Sequence, residues 1–530
     1  AKDLLSILSL LADRRAMGLI RTACMPGLEM ALGDVGMVLE SLRDEEHEPL
    51  EWLARRGTLS ISPEGHLALN QFAAVLEGFD ADSPPWRTLA TIVLDRTRFA
   101  ARIGEASSVA ERSQGIAIWQ LMNFLRVQPR AKGRAVPRLL DRIRRLVAIG
   151  DDRDLRQLPQ AAQGINAVRL MTIHGAKGLE FSCVHLPGLN QDTLPGSPKA
   201  PQCLPPYGVI AGLTGDVKEA LRAGDAEERE CLFYVATSRA RDRLVLYAAT
   251  QSGGRNRPLS DFLPRLGPGV VRSTPALVHT LPPAPEAEPI PIEIDGPVRL
   301  RDSQIAMLDK EKCRRRFFYT HVLGIGGRRT ETDYMRMHEA ARSVVRAIVF
   351  DGLDVSNDTR LAAAVCLACD EHGLDVLGSF AELRAFTRTR GLHTPQTPKA
   401  LILRFGGDEV HYGADDMLVD DRGKLIYRRV RTGVFRKSDT EDLSVAAALL
   451  AVVDNAPGAS AEVVHLTSGS ISLVAMTPLV LGRRREALGA AIEGVRAGDF
   501  PTNPTQRVCP RCPAFFVCGP VPAGTLRKKF

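Results

Sequence analysis

Three groups of residues in this chain have the types and spacing that chemistry needs. The first lies in Val168-Arg-Leu-Met-Thr-Ile-His-Gly-Ala-Lys-Gly-Leu-Glu-Phe181, where a mostly apolar run ends abruptly in a His-Gly-Ala-Lys-Gly turn. Gly175 and Gly178 permit positive φ and close backbone approach, so the turn can press against a phosphate or a nucleotide. His174, Lys177 and Glu180 then project from the carboxyl end of a strand, where open α/β sheets hold their ligands. Taken alone, the pattern also suits an ordinary strand–turn–helix junction. The second group follows Glu227-Glu-Arg-Glu-Cys-Leu-Phe-Tyr-Val-Ala-Thr-Ser-Arg239, which reads as a helix leading to a strand that ends at Leu246. Leu232, Val235 and Ala236 share one helical face, and Arg239, Arg241 and Arg243 come directly after it. The planar fork of arginine offers two parallel charge-assisted donors to a phosphate. The third group is Cys509-x2-Cys512-x5-Cys518, a compact ligand set that one more thiolate would complete. Cys313, flanked by basic and aromatic residues, is the obvious fourth, which would staple the two ends of one domain together.

These groups need elements to hold them. The short, β-branched run Val168 to Ile173 predicts a buried strand of a parallel sheet. Ser182 to Leu186 and Leu244 to Ala248 predict two more, with Cys183 and Cys231 as core thiols. Residues 4–165 read as mostly helical, and Ala1 to Ala12 as an amphipathic helix rather than a signal peptide, because Asp3 precedes the apolar run and Asp13-Arg-Arg15 follows it. Leu139, Leu140, Ile143, Leu146 and Val147 form a helical stripe, with Arg138, Arg142 and Arg145 off it; those arginines suit a solvated face, with DNA contact as the alternative. From Gly253 to Pro297 prolines accumulate into a semi-rigid spacer, the clearest domain boundary. Beyond it Asp302 opens a helix, and Cys366 and Cys369 lie in a helix where core packing explains both.

Composition sets outer limits. A chain of 530 residues can form three or four domains, and 45% hydrophobic with 25% charged residues is ordinary for a globular protein. A net charge of +7 permits nucleic-acid binding without arguing for it. No stretch approaches the roughly 18 uncharged apolar residues of a membrane span, so the reading has no membrane partner and a cytoplasmic location. The ten cysteines are then thiols or metal ligands rather than disulfides.

With these residues in view, the chain resembles a known family. Thr172-Ile-His-Gly-Ala-Lys-Gly-Leu-Glu-Phe181 is similar to motif V of UvrD/Rep-type superfamily 1 helicases, and Glu227-Glu-Arg229 with Tyr234-Val-Ala-Thr-Ser-Arg-Ala240 is similar to motif VI. One mild departure is Thr237-Ser238, where the family usually has Leu-Thr. The resemblance implies that Arg239 is the arginine finger on the ATP γ-phosphate, Glu180 a nucleotide contact, and Thr172 and His174 contacts to single-stranded DNA. Lys2-Asp3-Leu4-Leu5 resembles the end of motif IVa, and the helical segment fits the family's insertion before motif V. The sequence contains no G-x-x-x-x-G-K-[ST] loop to cradle phosphates and place magnesium. ATP and Mg are therefore expected only together with a first RecA-like lobe, upstream on the same polypeptide or on a partner helicase/nuclease subunit.

A second resemblance covers the far end. One early cysteine and three late ones, Cys313 with Cys509, Cys512 and Cys518, resemble the iron–sulfur staple of AddB-type and RecB-family nucleases, implying a 4Fe–4S cluster, with structural zinc as the alternative. Active relatives carry G-x-x-D on one strand and D-x-K on the next, holding divalent metal. Here Gly413-Ala-Asp-Asp416 supplies the first, and the Thr432-Gly433 ending sets a register in which Arg429 replaces the acid and Arg431 the lysine. His338 matches the upstream histidine ligand. A guanidinium cannot ligate a metal, so the resemblance implies a degenerate nuclease site at His338, Asp416, Arg429 and Arg431, with the two arginines free to bind DNA phosphate.

The expected architecture is an α/β multidomain chain: an α-helical insertion over 1–165, a second RecA-like lobe over 166–252, a Pro-rich linker over 253–297 and a PD-(D/E)XK nuclease-like α/β domain over 298–530. The expected function is the carboxyl-terminal part of an ATP-dependent 3′–5′ DNA helicase of the helicase–nuclease type in DNA repair or recombination, acting on single strands and duplex junctions. Two alternatives stay open: a non-enzymatic iron–sulfur DNA-binding scaffold subunit, and an active nuclease whose acid is Asp415, Asp420 or Glu441.

Overall fold

The computed structural model describes the chain except residues 44–46, 130–132, 152–167, 268, 272, 274–287, 326–332, 355–356, 375–382, 384–385, 391–392, 434 and 436. The chain divides into two units, Ala1–Gly164 with Pro285–Phe530 and Ile165–Ala284.

In the unit Ile165–Ala284, strands Phe181–Leu186 and Ala240–Leu246 pair in parallel. A parallel pair cannot be closed by a tight turn and needs a long crossover. The helix Val217–Thr237 lies within that crossover, and its N-cap Asp216 accepts from the Glu219 N–H at 3.1 Å. Ala236 on this helix is buried with Leu186 and Leu189, and Phe233 stacks on Phe262 with centroids 4.7 Å apart. Asn190, 1% exposed, donates to the carbonyls of Ala249 and Pro258 and accepts from the Ala249 N–H, tying the chain after one strand to the chain after the other.

Two expectations are corrected here. The run Val168 to Ile173 is not a strand, and Val168 and Leu170 are 94% and 97% exposed. A β-branched run makes a strand only beside a partner, and among the described residues no strand of this unit pairs with it. Cys183 and Cys231 are exposed rather than core thiols. Cys183 sits on a strand whose residues, Leu186 apart, are open or half-buried, and Cys231 lies on a helix whose buried contact is Ala236.

The other unit joins segments far apart in sequence. Its apolar core runs from Leu4 through Phe124 and Ile143 to Phe317, Phe516 and Leu526. The segment expected as a separate helical domain thus shares one core with the segment expected as nuclease-like. Leu4 to Leu10 of the helix Lys2–Leu10 are all buried, including Ser6 and Ser9, whose hydroxyls donate to the carbonyls of Gly18 and Ser6. This is a helix buried all round, not an amphipathic one. In the helix Ala135–Ile149 the predicted stripe does face inward, with Leu139, Leu140 and Ile143 buried. Of the expected spacer, 274–287 lies outside the described residues. Gln251–Ser252 and Arg255–Asn256 form a hairpin in the other unit, and Ile292–Ile294 pairs in parallel with Leu526–Lys528.

A five-stranded sheet follows the order Ser470–Leu473, Ser460–His465, Leu425–Arg431, Asp416–Val419, Thr394–Gln396. Leu425–Arg431 and Ser460–His465 are parallel, and the helix Leu443–Asn455 makes the crossover between them. Every residue from Leu443 to Val452 is buried, as expected of an Ala/Leu/Val helix packed on several sides. The strand expected to start at Tyr412 is broken at Ala414-Asp415: Asp408–Gly413 belongs to a three-stranded sheet with Arg299–Arg301 and Ala400–Phe405, and Asp416–Val419 to the five-stranded one.

Candidate functional site

Arg239 stands at the junction of the helix Val217–Thr237 and the strand Ala240–Leu246. Its main-chain carbonyl accepts from the Phe181 N–H at 2.9 Å. Its side chain donates from Nε to Val235 O at 3.0 Å, from Nη1 to Leu179 O at 2.9 Å and from Nη2 to Ser238 Oγ at 3.0 Å. The two sequence stretches singled out for phosphate chemistry therefore meet at this arginine. A guanidinium has five N–H donors, so these three bonds leave one N–H on each terminal nitrogen.

The turn itself is a short 3-10 helix, His174–Ala176. Thr172 Oγ1 accepts from the Gly175 N–H at 3.1 Å, and Gly178 takes φ +79°, which allows the turn to reverse toward Leu179. Thr172, His174, Lys177 and Glu180 are all exposed. Arg229, in the second stretch, is bound instead within the unit, to Asp225 at 2.8 Å and to the Pro195 carbonyl.

The four cysteines lie in the other unit. Cys313 precedes the helical turn Arg314–Phe317, and Cys509–Arg511 forms a 3-10 turn that brings Cys512 N–H to Cys509 O at 3.0 Å. Backbone N–H groups of Asn503 and Thr505 donate to Cys313 Sγ at 3.5 Å and Cys509 Sγ at 3.3 Å. Burial pushes the Cys512 and Cys518 thiols up, and Cys313 acts on both of them in the same direction; Arg316 opposes at Cys512, Lys2 and Arg315 at Cys518. Among the described residues no three His, Cys, Asp or Glu side chains are grouped so as to hold a metal ion. The donor chemistry and the N–H···S bonds fit a thiolate-bound centre, while the four thiols are not grouped as one.

Sequence reasoning missed Arg144. It donates to the carbonyls of Pro510 at 3.1 Å, Cys512 at 2.7 Å and Pro513 at 3.1 Å, and its guanidinium lies over the rings of Phe515 and Phe516. The signal was available: Arg144 is four residues from Leu140 and three from Val147, on the apolar stripe rather than off it.

In the hairpin expected to be nuclease-like, Asp416 pairs across the strands with Arg428. Asp416 and Arg428 are both 0% exposed and bonded at 3.0 Å; Arg390 adds bonds of 2.8 and 3.3 Å to the same carboxylate, and Arg428 also reaches Glu462 at 3.4 Å. Asp416 is thus an internal counter-ion. Side chains alternate across a strand, so Arg429 faces the other way. There it pairs with Asp302 and stands close to Asp415; burial works against its charge, but these two carboxylates hold it more firmly protonated than usual. Asp415 accepts from the Val430 N–H at 2.8 Å, and although part of it is exposed, desolvation raises its pKa against Arg429. Arg431 pairs with Asp442 at 3.1 Å. The structure places each of the two arginines expected to bind phosphate against a carboxylate. His338 is half-buried on the helix Asp333–Phe350, one turn before Arg342, which acts on Asp415.

Residues 105–251 match the family described as UvrD-like helicase C-terminal domain. A stretch of 119 residues is 37% identical to an ATP-dependent helicase/nuclease subunit of Desulforudis audaxviator (strain MP104C), covering 19% of this chain and 9% of that protein. A stretch of 191 residues is 25% identical to the ATP-dependent DNA helicase PcrA of Bacillus subtilis (strain 168), covering 36% of this chain and 23% of that protein. The chain therefore spans about a tenth and about a quarter of the lengths of these relatives. A crystal structure of SSO0001 aligns over 43% of this chain and 88% of that chain at 12% identity, and its TM-score of 0.21 is too low to carry an argument about fold. No described helix is long and apolar enough to cross a membrane.

Proposed function

We propose that this chain supplies the carboxyl-terminal part of an ATP-dependent superfamily 1 DNA helicase acting in DNA repair or recombination. The UvrD-like helicase C-terminal domain at 105–251 is the frame for this reading. The observation that carries it is the bond from Arg239 Nη1 to Leu179 O, which fixes the arginine on the turn that precedes Glu180. One N–H remains on each terminal nitrogen, the parallel fork that a γ-phosphate oxygen pair accepts. Catalysis of phosphoryl transfer is positioning plus electrostatic stabilisation, so Arg239 acts only when a first RecA-like lobe brings ATP and magnesium to it. That lobe belongs to the same polypeptide or to a partner. Thr172 and His174, exposed on the turn, face single-stranded DNA in this reading.

The remainder of the chain follows the same reading. The nuclease-like centre is inactive, because the cation between Asp302 and Asp415 is the guanidinium of Arg429 rather than a divalent metal. Cys313, Cys509, Cys512 and Cys518 would hold a 4Fe–4S cluster, which would cross-link the segment around Cys313 to the segment that carries the other three. Arg144 fixes the peptide carbonyls around Cys512, and Lys2, Arg315 and Arg316 offset the negative charge of the thiolates.

ATP turnover by a polypeptide or complex that includes a first RecA-like lobe tests the proposal. Single-stranded DNA must stimulate that turnover, and the 530-residue chain by itself must show none. Turnover by this chain alone would overturn it.

A further inference from the structure

We infer that Ser238 is a positioning residue for Arg239. The inference rests on the reading of Arg239 as the residue that meets the γ-phosphate, and adds what sets the plane of its guanidinium. The helix Val217–Thr237 ends at Ser238, which keeps right-handed backbone angles of φ −74° and ψ −2°. Val235, Ser238 and Arg239 consequently stand within one turn. Ser238 Oγ donates to Val235 O at 3.1 Å and accepts from Arg239 Nη2 at 3.0 Å, while Arg239 Nε donates to the same Val235 O at 3.0 Å. These bonds close a ring along one edge of the guanidinium. Leu179 O, at 2.9 Å from Nη1, fixes the opposite side.

A free arginine side chain carries much rotamer entropy, and its planar fork loses less of it when the plane is already set. Ser238 sets it from the Nη2 side, where no other protein acceptor is bonded among the described residues. Removing Oγ leaves Nη2 untethered and lets the guanidinium turn about its bonds to Val235 and Leu179. The neighbouring hydroxyl does not do this work: Thr237 Oγ1 bonds back into the helix, to Phe233 O at 3.0 Å and Tyr234 O at 3.1 Å. Ser238 is exposed, so its truncation opens no cavity in the core. Threonine at this exposed position retains Oγ.

The experiment compares Ser238→Ala, Ser238→Thr and Arg239→Ala in the full ATPase that contains this segment together with its first RecA-like lobe, measuring kcat, KM for ATP and Tm. Ser238→Ala is expected to lower kcat roughly ten- to hundredfold, the scale of a small misplacement in an active site, with KM and Tm unchanged. Ser238→Thr is expected to restore kcat. Wild-type turnover in Ser238→Ala, a loss that threonine does not repair, or a loss that tracks a fall in Tm overturns the inference. Arg239→Ala separates the two levels: lost turnover there beside a wild-type Ser238→Ala removes only the role of Ser238, whereas wild-type turnover in Arg239→Ala removes the reading of Arg239 itself.

Discussion

Arg144 Nη1 donates to the main-chain oxygen of Cys512 at 2.7 Å, across 368 residues of sequence. A side chain from the helix Ala135–Ile149 thus holds the peptide loop that carries three of the four cysteines. With further bonds to Pro510 and Pro513 and two aromatic rings beneath it, the guanidinium is committed to this loop, and burial lowers its pKa.

Arg144→Ala should therefore destabilise the unit by about 2–4 kcal/mol, the scale of several bonds to a charged donor lost from a partly buried site. Arg145→Ala, at an exposed position on the same helix, should change stability by less than about 0.5 kcal/mol. Thermal or denaturant unfolding of the two variants checks the contrast, and equal effects would count against the clamp.

At the hairpin, Arg429→Asp would set a third carboxylate beside Asp302 and Asp415. Like charges at such distances repel strongly when partly buried, so the variant should lose stability in chelator and regain it with magnesium or manganese. The unmodified chain should neither be stabilised by those ions nor cut DNA. Metal-dependent cutting by the unmodified chain would restore the displaced-acid alternative.

Acid stability should depend on Asp408. Its bonds from Arg496 hold its carboxyl below the usual carboxylate range, against desolvation and aided by the Val298 N–H. A depressed folded-state pKa contributes stability that is present above the unfolded value, about 3.9, and lost as pH falls through the folded value. Asp408→Asn should remove that contribution at neutral pH and flatten the acid limb of stability against pH. An unchanged acid limb would contradict it.

Much of this organisation was legible in the sequence because it depends on local pattern. The parallel strands Phe181–Leu186 and Ala240–Leu246, the helix between them and the inward stripe of Ala135–Ile149 all follow from short-range periodicity. What escaped reading depends on partners distant in sequence. Val168 to Ile173 has strand composition, yet among the described residues no strand is paired to it. The strand expected from Tyr412 breaks at Ala414-Asp415, which leaves Asp416 in an internal pair with Arg428 and Asp415 beside Arg429. Nothing in a single sequence marks where such a break falls. The shared core of Leu4, Phe124 and Phe516 escaped for the same reason.

The cysteines give a spectroscopic prediction. Anaerobically purified protein should be brown, with iron and sulfide about four each per chain if four thiolates hold one cubane. Cys512→Ser should release the iron and lower the Tm of the unit that contains it. Stoichiometric zinc without iron would decide for the structural-zinc alternative.

Arg239 carries the central claim, and its replacement tests it most directly. In the ATPase that joins this chain to a first RecA-like lobe, Arg239→Ala should reduce DNA-stimulated kcat by roughly 10³-fold or more, as expected for an arginine that stabilises charge in phosphoryl transfer. Single-stranded DNA affinity should stay close to wild type. ATP turnover near the wild-type rate in that variant would contradict the assignment of Arg239 to the γ-phosphate, and with it the account of this chain as part of a helicase motor.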